Sequence, residues 1–241
     1  MQQYKNEFKN LNYSDTISNI QPCIRLNDLD EIGDNTHFLY FNMIGFFSFR
    51  EWTVKRTIDF WMLFINRIGL KVDYITVHPN KKEWKEFYNE YDVEVREDIE
   101  CIWTDGDLGG YCTEFYINGI EIGNIVNCNG DCIDVGFGLE RLDMLVNNKT
   151  KDEISVLKET IWKIIESGYV PGPKLHGYIL RKLLRMLFIK GGSIDHEFFY
   201  KEKERQERLV KKFLTLKDKH LDKSKEWWYD THGIDLDEIL N

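Results

Sequence analysis

The sequence lacks any run of about 18 apolar residues, the length that a membrane span needs. Its first ten residues, MQQYKNEFKN, lack the apolar core of a secretory leader. These absences argue against a membrane protein, and we expect a cytoplasmic protein with no membrane partner. Hydrophobic residues still make up 42% of the 241 residues and aromatic residues 14%, which is enough for a folded core.

The five cysteines include no CxxC pair. An odd number of cysteines without such a pair predicts reduced thiols rather than a disulfide framework. Cys128 and Cys132 are close in sequence, but no histidine pair accompanies them. We therefore expect no zinc.

Net positive charge is also absent, because the chain carries −9 at pH 7. A protein whose whole surface binds nucleic acid would be basic, so that class is excluded. Between Lys174 and Lys225, however, fifteen Lys/Arg stand against seven Asp/Glu. Two interpretations remain open for this portion, a basic surface that meets an RNA end and a solvated helix face of mixed charge.

The stretch with the strongest local pattern covers residues 131–146, DCIDVGFGLERLDMLV. It predicts a short strand, a turn through Gly136 and Gly138, and a helix with leucines on one side. The unpaired N–H groups of a helix start bind phosphate, and glycines let a ligand approach the backbone. Arg141 in the first turn favours a nearby anion, and Asp134 precedes the glycines. An ordinary connection with a solvated charged pair is the alternative on local chemistry.

Residues 133–141, IDVGFGLER, resemble motif 3 of the class II aminoacyl-tRNA synthetases in its alanyl form, VDTGMGLER. Residues 21–49 resemble motif 2 of the same family. The matching positions, in order, are Arg25, Asn27, Asp28, Leu29, Ile32, Gly33, His37, Phe41, Met43, Gly45, Phe47, Ser48 and Phe49. The loop after Arg25 is shorter than in the family, and Thr36 replaces an arginine. We therefore expect fewer contacts with ATP or with an RNA acceptor end.

A third block, residues 99–114, resembles the family's glycine-rich segment. Its matches are Trp103, Gly106, Asp107, Gly109, Cys112, Thr113 and Glu114. In the strand that follows, Glu121 and Asn124 are three residues apart, so alternation predicts that they face opposite sides. This favours Asn124 as a substrate ligand and makes Glu121 a weaker candidate for Mg²⁺. Gly123 replaces a family tryptophan, which predicts a more spacious neighbourhood.

The resemblance implies a set of site residues. The two catalytic residues are Arg25, on the α-phosphate of ATP, and Arg141, on the γ-phosphate. The ATP-binding set is Arg25, His37, Phe41, Gly138 and Arg141. The amino-acid-binding set is Trp103, Asn124, Asp134 and Gly136, in which Asp134 accepts the substrate ammonium. The candidate RNA contacts are Arg181, Lys182 and Arg185.

The resemblance also implies an α+β fold, with a class II antiparallel sheet flanked by helices in residues 1–148. A helical domain in residues 149–241 resembles part of the tRNA-recognition region. The chain begins partway into the usual core, so the oligomeric state stays open.

The implied reaction uses ATP and Mg²⁺ to convert alanine, or another small amino acid, to the aminoacyl-adenylate. The acceptor could be the tRNA acceptor stem, or a carrier protein or small molecule in a paralogue; a non-catalytic tRNA-binding or regulatory remnant is a third hypothesis. Retention of Arg25, Trp103, Asp134 and Arg141 together argues against the third.

Overall fold

The structure is a computed structural model that describes residues 2–26, 29, 32, 36–220, 222–234 and 236–239. The chain divides into two compact units. The first comprises Met1–Arg25 and Phe41–Thr150, and the second comprises Leu26–Tyr40 and Lys151–Asn241. Three of the motif 2 matches, Asn27, Asp28 and Gly33, lie outside the described residues.

The first unit is built on a sheet of eight strands. Its elements in chain order are α1 (Lys5–Lys9), β1 (Asp15–Ile24), β2 (Tyr40–Phe49), α2 (Val54–Arg67), β3 (Tyr74–Val77), a 3₁₀ helix (Pro79–Tyr88), β4 (Glu94–Glu97), β5 (Ile102–Asp105), β6 (Leu108–Ile117), β7 (Ile120–Cys128), β8 (Cys132–Gly138) and α3 (Leu139–Asn147). The strand order is β1-β2-β8-β7-β6-β3-β4, and β5 pairs with β6.

The strands from β2 through β8, β7 and β6 to β3 are paired antiparallel, whereas β3 and β4 are parallel. The predicted α+β class and helix-flanked sheet are therefore confirmed, with one parallel pair added at the edge.

The second unit is helical in the part that the structure describes. Its elements are α4 (Glu153–Glu166), α5 (Leu175–Ile189), α6 (Glu197–Leu216), a 3₁₀ turn (Lys217–Lys219), α7 (Lys225–His232) and α8 (Leu236–Ile239). The side chain of Asp152 starts α4 by accepting a hydrogen bond from the N–H of Ser155. The buried side chains of α4 and α5 include Leu157, Ile161, Leu180, Leu183, Leu184 and Leu187. Among the described helices of the whole chain, none is long and apolar enough to cross a membrane.

Helix α2 covers one face of the central sheet. The spacing of apolar residues over 51–70 predicts a helix with one core-facing side, and the buried residues Ile58, Trp61 and Ile65 lie on that side. They join a core that includes Phe115 and Phe137, and the Trp61 indole stacks on the Phe137 ring with centroids 4.4 Å apart. Because this face is filled by hydrophobic packing, a ligand site on the central strands must lie on the opposite face.

The Asn-Gly pair at residues 118–119 predicts a two-residue hairpin, and it forms the turn between β6 and β7. Asn118 and Gly119 have φ values of 53° and 76°, the left-handed pair that a two-residue hairpin turn needs. The sequence of residues 81–91 predicts a polar helix, and the structure has a 3₁₀ helix at Pro79–Tyr88. Lys81 leaves helical geometry at φ −126°.

Candidate active site

The register of the central strands aligns four residues in one row. Glu114 of β6 pairs with Asn124 of β7, Asn124 pairs with Gly136 of β8, and Gly136 pairs with Gly45 of β2. Directly paired residues project to the same face of a sheet. The residues that alternate with this row belong to the core against α2. We call the face that carries Glu114, Asn124, Gly136 and Gly45 the polar face.

Asp134 lies on the polar face, two residues before Gly136 in β8. It pairs with Val126 of β7 and Phe47 of β2, both of which are buried in an apolar cluster. Trp103 of β5 packs against the same cluster. Burial raises the pKa of Asp134 to about 6. A carboxylate beside an apolar wall can bind an ammonium next to a small side chain, which is the chemistry predicted for Asp134 and Trp103.

A β-bulge overturns the expectation that Glu121 and Asn124 face opposite sides. The register of β6 and β7 shifts between Phe115 and Tyr116, so that Tyr116 pairs with Glu121. The extra residue in β7 breaks the alternation and returns Glu121 to the polar face. The Tyr116 hydroxyl donates to Glu114 Oε2 at 2.8 Å, which places Tyr116 on that face as well. Glu121 is therefore available to the same ligand as Asn124.

Two arginines lie near Glu121. The pKa of Glu121 is raised, chiefly by burial and also by the neighbouring Glu114. Arg141 and Arg25 offset part of that rise. Arg141 is also anchored to β7, because its Nη1 donates to the backbone oxygen of Glu121 at 2.7 Å. A carboxylate flanked by guanidinium groups fits a magnesium ion shared with phosphates, since Mg²⁺ takes one or two protein carboxylates and completes its shell with phosphate and water oxygens.

The predicted glycine turn before α3 is wrong. Gly136 and Gly138 belong to β8, because that strand stays paired with β2 as far as Gly138. Gly138 has an extended φ of −74° and immediately precedes α3. A Cβ on Gly136 would lie 3.0 Å from the Met43 Sδ. These glycines thus keep space on the polar face, and a phosphate there would be held by side chains such as Arg141 rather than by a glycine loop.

Gly123 does not enlarge the polar face, contrary to the expectation from the sequence. It pairs with Phe115 and Phe137, whose side chains belong to the core against α2. A Cβ at this position would lie 2.4 Å from the Gly136 carbonyl oxygen. Gly123 is therefore required by close backbone packing beside the bulge.

Glu140 has a role that the sequence did not indicate. Its two carboxylate oxygens accept hydrogen bonds from the backbone N–H and the side-chain amide of Asn42, each at 2.8 Å. The alternative of a solvated charged pair at the helix start does not describe this residue. The contact fixes the first turn of α3, which carries Arg141, against β2. Only the pairing of β2 with β8 reveals it, since the two residues are far apart in the chain.

Glu140→Ala is expected to lower the free energy of unfolding by about 2 kcal/mol, because it removes two hydrogen bonds to a charged group. Asp143→Ala is the control, since Asp143 is exposed on the same helix and accepts a hydrogen bond from the side-chain amide of Asn147, its own neighbour on that helix. It is expected to change stability by less than about 0.5 kcal/mol. Urea unfolding measures the free energy of unfolding of both variants. Equal losses in Glu140→Ala and Asp143→Ala would contradict a stabilising contact between Glu140 and Asn42.

Asn19 of β1 is a second residue that the sequence did not single out. Its Oδ1 is buried and has no hydrogen-bond partner among the described residues. The same atom lies 2.6 Å from the position that a Cβ on Gly45 would occupy. An unused acceptor at the end of the Glu114–Gly45 row is a candidate contact for a substrate donor.

The remaining predicted ATP residues fall in different units. Phe41 lies two residues before Met43 in β2, so alternation puts it on the polar face. His37 belongs to the second unit, where its Nδ1 lies 3.2 Å from the Thr36 Oγ1. Contacts of both residues with ATP stay predictions.

The candidate RNA contacts lie on α5. Arg181 Nε is 3.2 Å from the Oε2 of Glu202 on α6, and Glu202 is only 6% exposed. Arg185 is likewise 6% exposed, whereas Lys182 is partly exposed. The structure thus gives Arg181 a contact between α5 and α6 and buries Arg185. RNA contact by the three residues stays a prediction, and Lys182 is the most accessible of them.

Comparisons with known proteins point to one family. The model of the family described as tRNA synthetases class II (A) matches residues 1–159. The alanine–tRNA ligase of Francisella tularensis subsp. tularensis (strain WY96-3418) is 26% identical over 281 aligned residues, covering 83% of this chain and 32% of the relative. The alanine–tRNA ligase of Tropheryma whipplei (strain Twist) is 26% identical over 240, covering 70% and 27%. The chain thus spans about a third of the length of these relatives.

Among solved structures, apo histidyl-tRNA synthetase of S. aureus aligns with a TM-score of 0.40 and 14% identity, covering 86% of this chain and 66% of that one. The resemblance drawn from the sequence motifs is confirmed by the family model and by the alanine–tRNA ligase relatives.

Proposed function

Because the chain belongs to the family of class II (A) tRNA synthetases, we propose that it activates alanine or another small amino acid with ATP. The product is the aminoacyl-adenylate. The observation that carries the proposal is the convergence on one face of the sheet of Asp134, Asn124 and Glu121, with Arg25 and Arg141 close enough to affect the charge of Glu121.

In this reaction the substrate carboxylate oxygen attacks the α-phosphorus of ATP. A new oxygen–phosphorus bond forms, the bond to the β,γ-phosphates breaks, and pyrophosphate leaves with the electron pair. The protein therefore needs no nucleophile of its own. Arg25 offsets charge at the α-phosphate and Arg141 at the γ-phosphate, as planar guanidinium groups can bind phosphate oxygens in pairs.

The amino acid is held at the other end of the polar face. Asp134 accepts the ammonium, Asn124 offers a hydrogen bond beside it, and Trp103 with its apolar cluster limits the size of the side chain. Bound Mg²⁺ would neutralise the leaving pyrophosphate. Glu121 is the carboxylate that would hold this ion.

Amino-acid-dependent exchange of labelled pyrophosphate into ATP, run with all twenty amino acids, tests the proposal. We expect alanine, glycine and serine to support exchange within about 200-fold of one another, since one methylene in a pocket is worth about 1–3 kcal/mol. Amino acids with bulky side chains are expected to be inactive. A preference for an aromatic amino acid would contradict the assignment of Trp103, and folded protein that shows no exchange would contradict activation itself.

A second experiment identifies the acceptor of the activated amino acid. Incubation of the protein with ATP, labelled alanine and either tRNA or a purified carrier protein shows which one becomes labelled. The names of the relatives favour tRNA. Robust exchange without tRNA labelling would favour the carrier protein or small-molecule alternative.

A further inference from the structure

Two thiols and a carboxylate converge beside the polar face. The ligand atoms of Cys101, Cys112 and Glu114 all lie within 4.8 Å of one another. Cys112 and Glu114 are two residues apart in β6 and so point to the same side. Cys101 is brought to them by the β5–β6 hairpin, where its carbonyl accepts from the N–H of Cys112 at 2.9 Å. The two cysteines are buried, and Glu114 is partly accessible.

The separations suit a tetrahedral metal ion. With zinc–sulfur bonds of about 2.3 Å and zinc–oxygen bonds of about 2.0–2.2 Å, two ligands of one ion lie about 3.3–3.8 Å apart. Cys112 Sγ is 3.6 Å from Glu114 Oε1. The three ligand atoms reach bonding distance of one ion with side-chain shifts of about 1 Å or less.

The carboxylate is already oriented for such a role. Its Oε2 accepts hydrogen bonds from the Tyr116 hydroxyl at 2.8 Å and the Thr76 hydroxyl at 3.3 Å. Its Oε1 faces the thiol of Cys112. Metal-ligating carboxylates are commonly held in this way by hydrogen bonds to the oxygen that does not bind the metal.

We propose that Cys101, Cys112 and Glu114 bind one zinc ion, which replaces the expectation of no zinc that the sequence suggested. Thiolate ligands select zinc over magnesium, and three protein ligands leave a fourth position for water or another ligand. The ion would tie β5 to β6 next to the Glu114–Asn124 pair, so it would sit beside the face assigned to the amino acid. This goes beyond adenylation, and its test uses neither ATP nor an amino acid.

The competing explanation is a metal-free hydrogen-bond network. The Cys101 thiol donates to the Thr76 Oγ1 at 3.0 Å, and Cys112 donates to Glu114, so protonated thiols satisfy the cluster without an ion. A cysteine can also be buried simply as a small apolar side chain. Cys128 and Cys132 provide matched controls, because they are buried and directly paired across β7 and β8. Among the described residues they belong to no group of three close metal-ligand atoms.

The experiment titrates the reduced, chelator-treated 241-residue chain with Co²⁺ and then with Zn²⁺. We expect one ion per chain and a near-ultraviolet thiolate-to-cobalt absorption that Zn²⁺ abolishes. Cys101→Ser and Cys112→Ser should each remove about half of that absorption and weaken zinc binding, measured by competition with a coloured chelator, by at least about tenfold. Cys128→Ser should leave both readings unchanged.

Two further variants keep the test decisive if the cysteine variants misfold. Glu114→Gln changes a partly accessible residue and should also weaken zinc at least about tenfold, and Tyr116→Phe should weaken it by about tenfold through the orientation of Glu114. A folded wild-type chain without thiolate-to-cobalt absorption would overturn the proposal. So would zinc affinity that Glu114→Gln leaves intact or that Cys128→Ser removes.

Discussion

Arg141→Ala is expected to lower the rate of ATP–pyrophosphate exchange by at least about 100-fold, because one charge-assisted contact to the transition state is worth about 3 kcal/mol or more. The guanidinium lies at the start of α3 and is bonded to the backbone of Glu121. Burial raises the pKa of the Glu121 carboxyl, and Arg141 offsets part of that rise. Exchange at saturating amino acid and ATP measures the effect. Arg141→Lys should recover only part of the rate, since an ammonium cannot bind two phosphate oxygens in one plane.

The control for this loss is Arg56→Ala. Arg56 is on α2, with its guanidinium carbon 3.9 Å from the centroid of the Trp52 ring, and α2 covers the face opposite the polar face. Its removal takes away a cation and a packing contact but should leave exchange within about twofold of the wild-type rate. A comparable loss in both variants, or none in Arg141→Ala, would contradict the phosphate role of Arg141.

Asp134→Asn is expected to raise the KM for the amino acid by at least about 30-fold, because removing one partner of a buried charge pair costs about 2–5 kcal/mol. The KM for ATP should change by less than about threefold, since Asp134 pairs with Val126 and Phe47, away from Glu121 and the arginines. Asp131→Asn is the matched control, because Asp131 forms an ion pair with Arg50 at 2.9 Å outside the polar face. Equal changes in both KM values would mean that Asp134 is structural.

The pH dependence of amino-acid use follows from the same carboxylate. Burial raises the pKa of Asp134 to about 6, so the carboxylate that binds the ammonium is present above that pH and is lost as the pH falls through it. We expect kcat/KM for the amino acid to fall about tenfold per pH unit below pH 6 and to level off above pH 7. Asp134→Asn should remove this dependence. A flat wild-type profile between pH 5 and pH 7 would contradict an ionised Asp134.

As the pH rises, we expect the free energy of unfolding to fall while the use of the amino acid increases. Because folding raises the pKa of Asp134 from 3.8 to about 6, stability falls as the pH rises from the unfolded-state value to the folded-state value. The full cost of burying the charge is present above about pH 6. Asp134→Asn is therefore expected to be as stable as the wild type at pH 7.5, or more stable by roughly 1–3 kcal/mol. Urea unfolding measures it, and this result would separate loss of substrate binding from loss of fold.

The sequence was sufficient for features that depend on residue type or local alternation. The apolar side of α2 and the Asn118–Gly119 hairpin follow from residue type and spacing. The motif residues of the central strands follow from the resemblance to the family. Glu121 was misplaced because a bulge changes the facing of every residue beyond it, and bulges have no reliable sequence signal.

Contacts between residues far apart in the chain could not be predicted from the sequence either. Glu140 and Asn42 meet only because β2 and β8 are neighbours in the sheet, and Cys101 meets Cys112 through the β5–β6 pairing rather than through a CxxC motif. The glycines of β8 were read as a turn because glycine is common in turns. Here they serve the opposite purpose, which is to keep a paired strand free of side chains on the polar face.

The most direct test of the account is a single-turnover reaction of excess protein with labelled ATP, Mg²⁺ and alanine, in the presence of pyrophosphatase and without any acceptor. Quenched samples are separated to detect alanyl-adenylate and AMP. We expect alanyl-adenylate to approach one equivalent per ATP supplied. Its yield should be strongly reduced in Arg141→Ala, and in Asp134→Asn it should be restored only at high alanine. Folded protein that binds ATP but forms no adenylate with alanine, glycine, serine or any other amino acid would contradict the account.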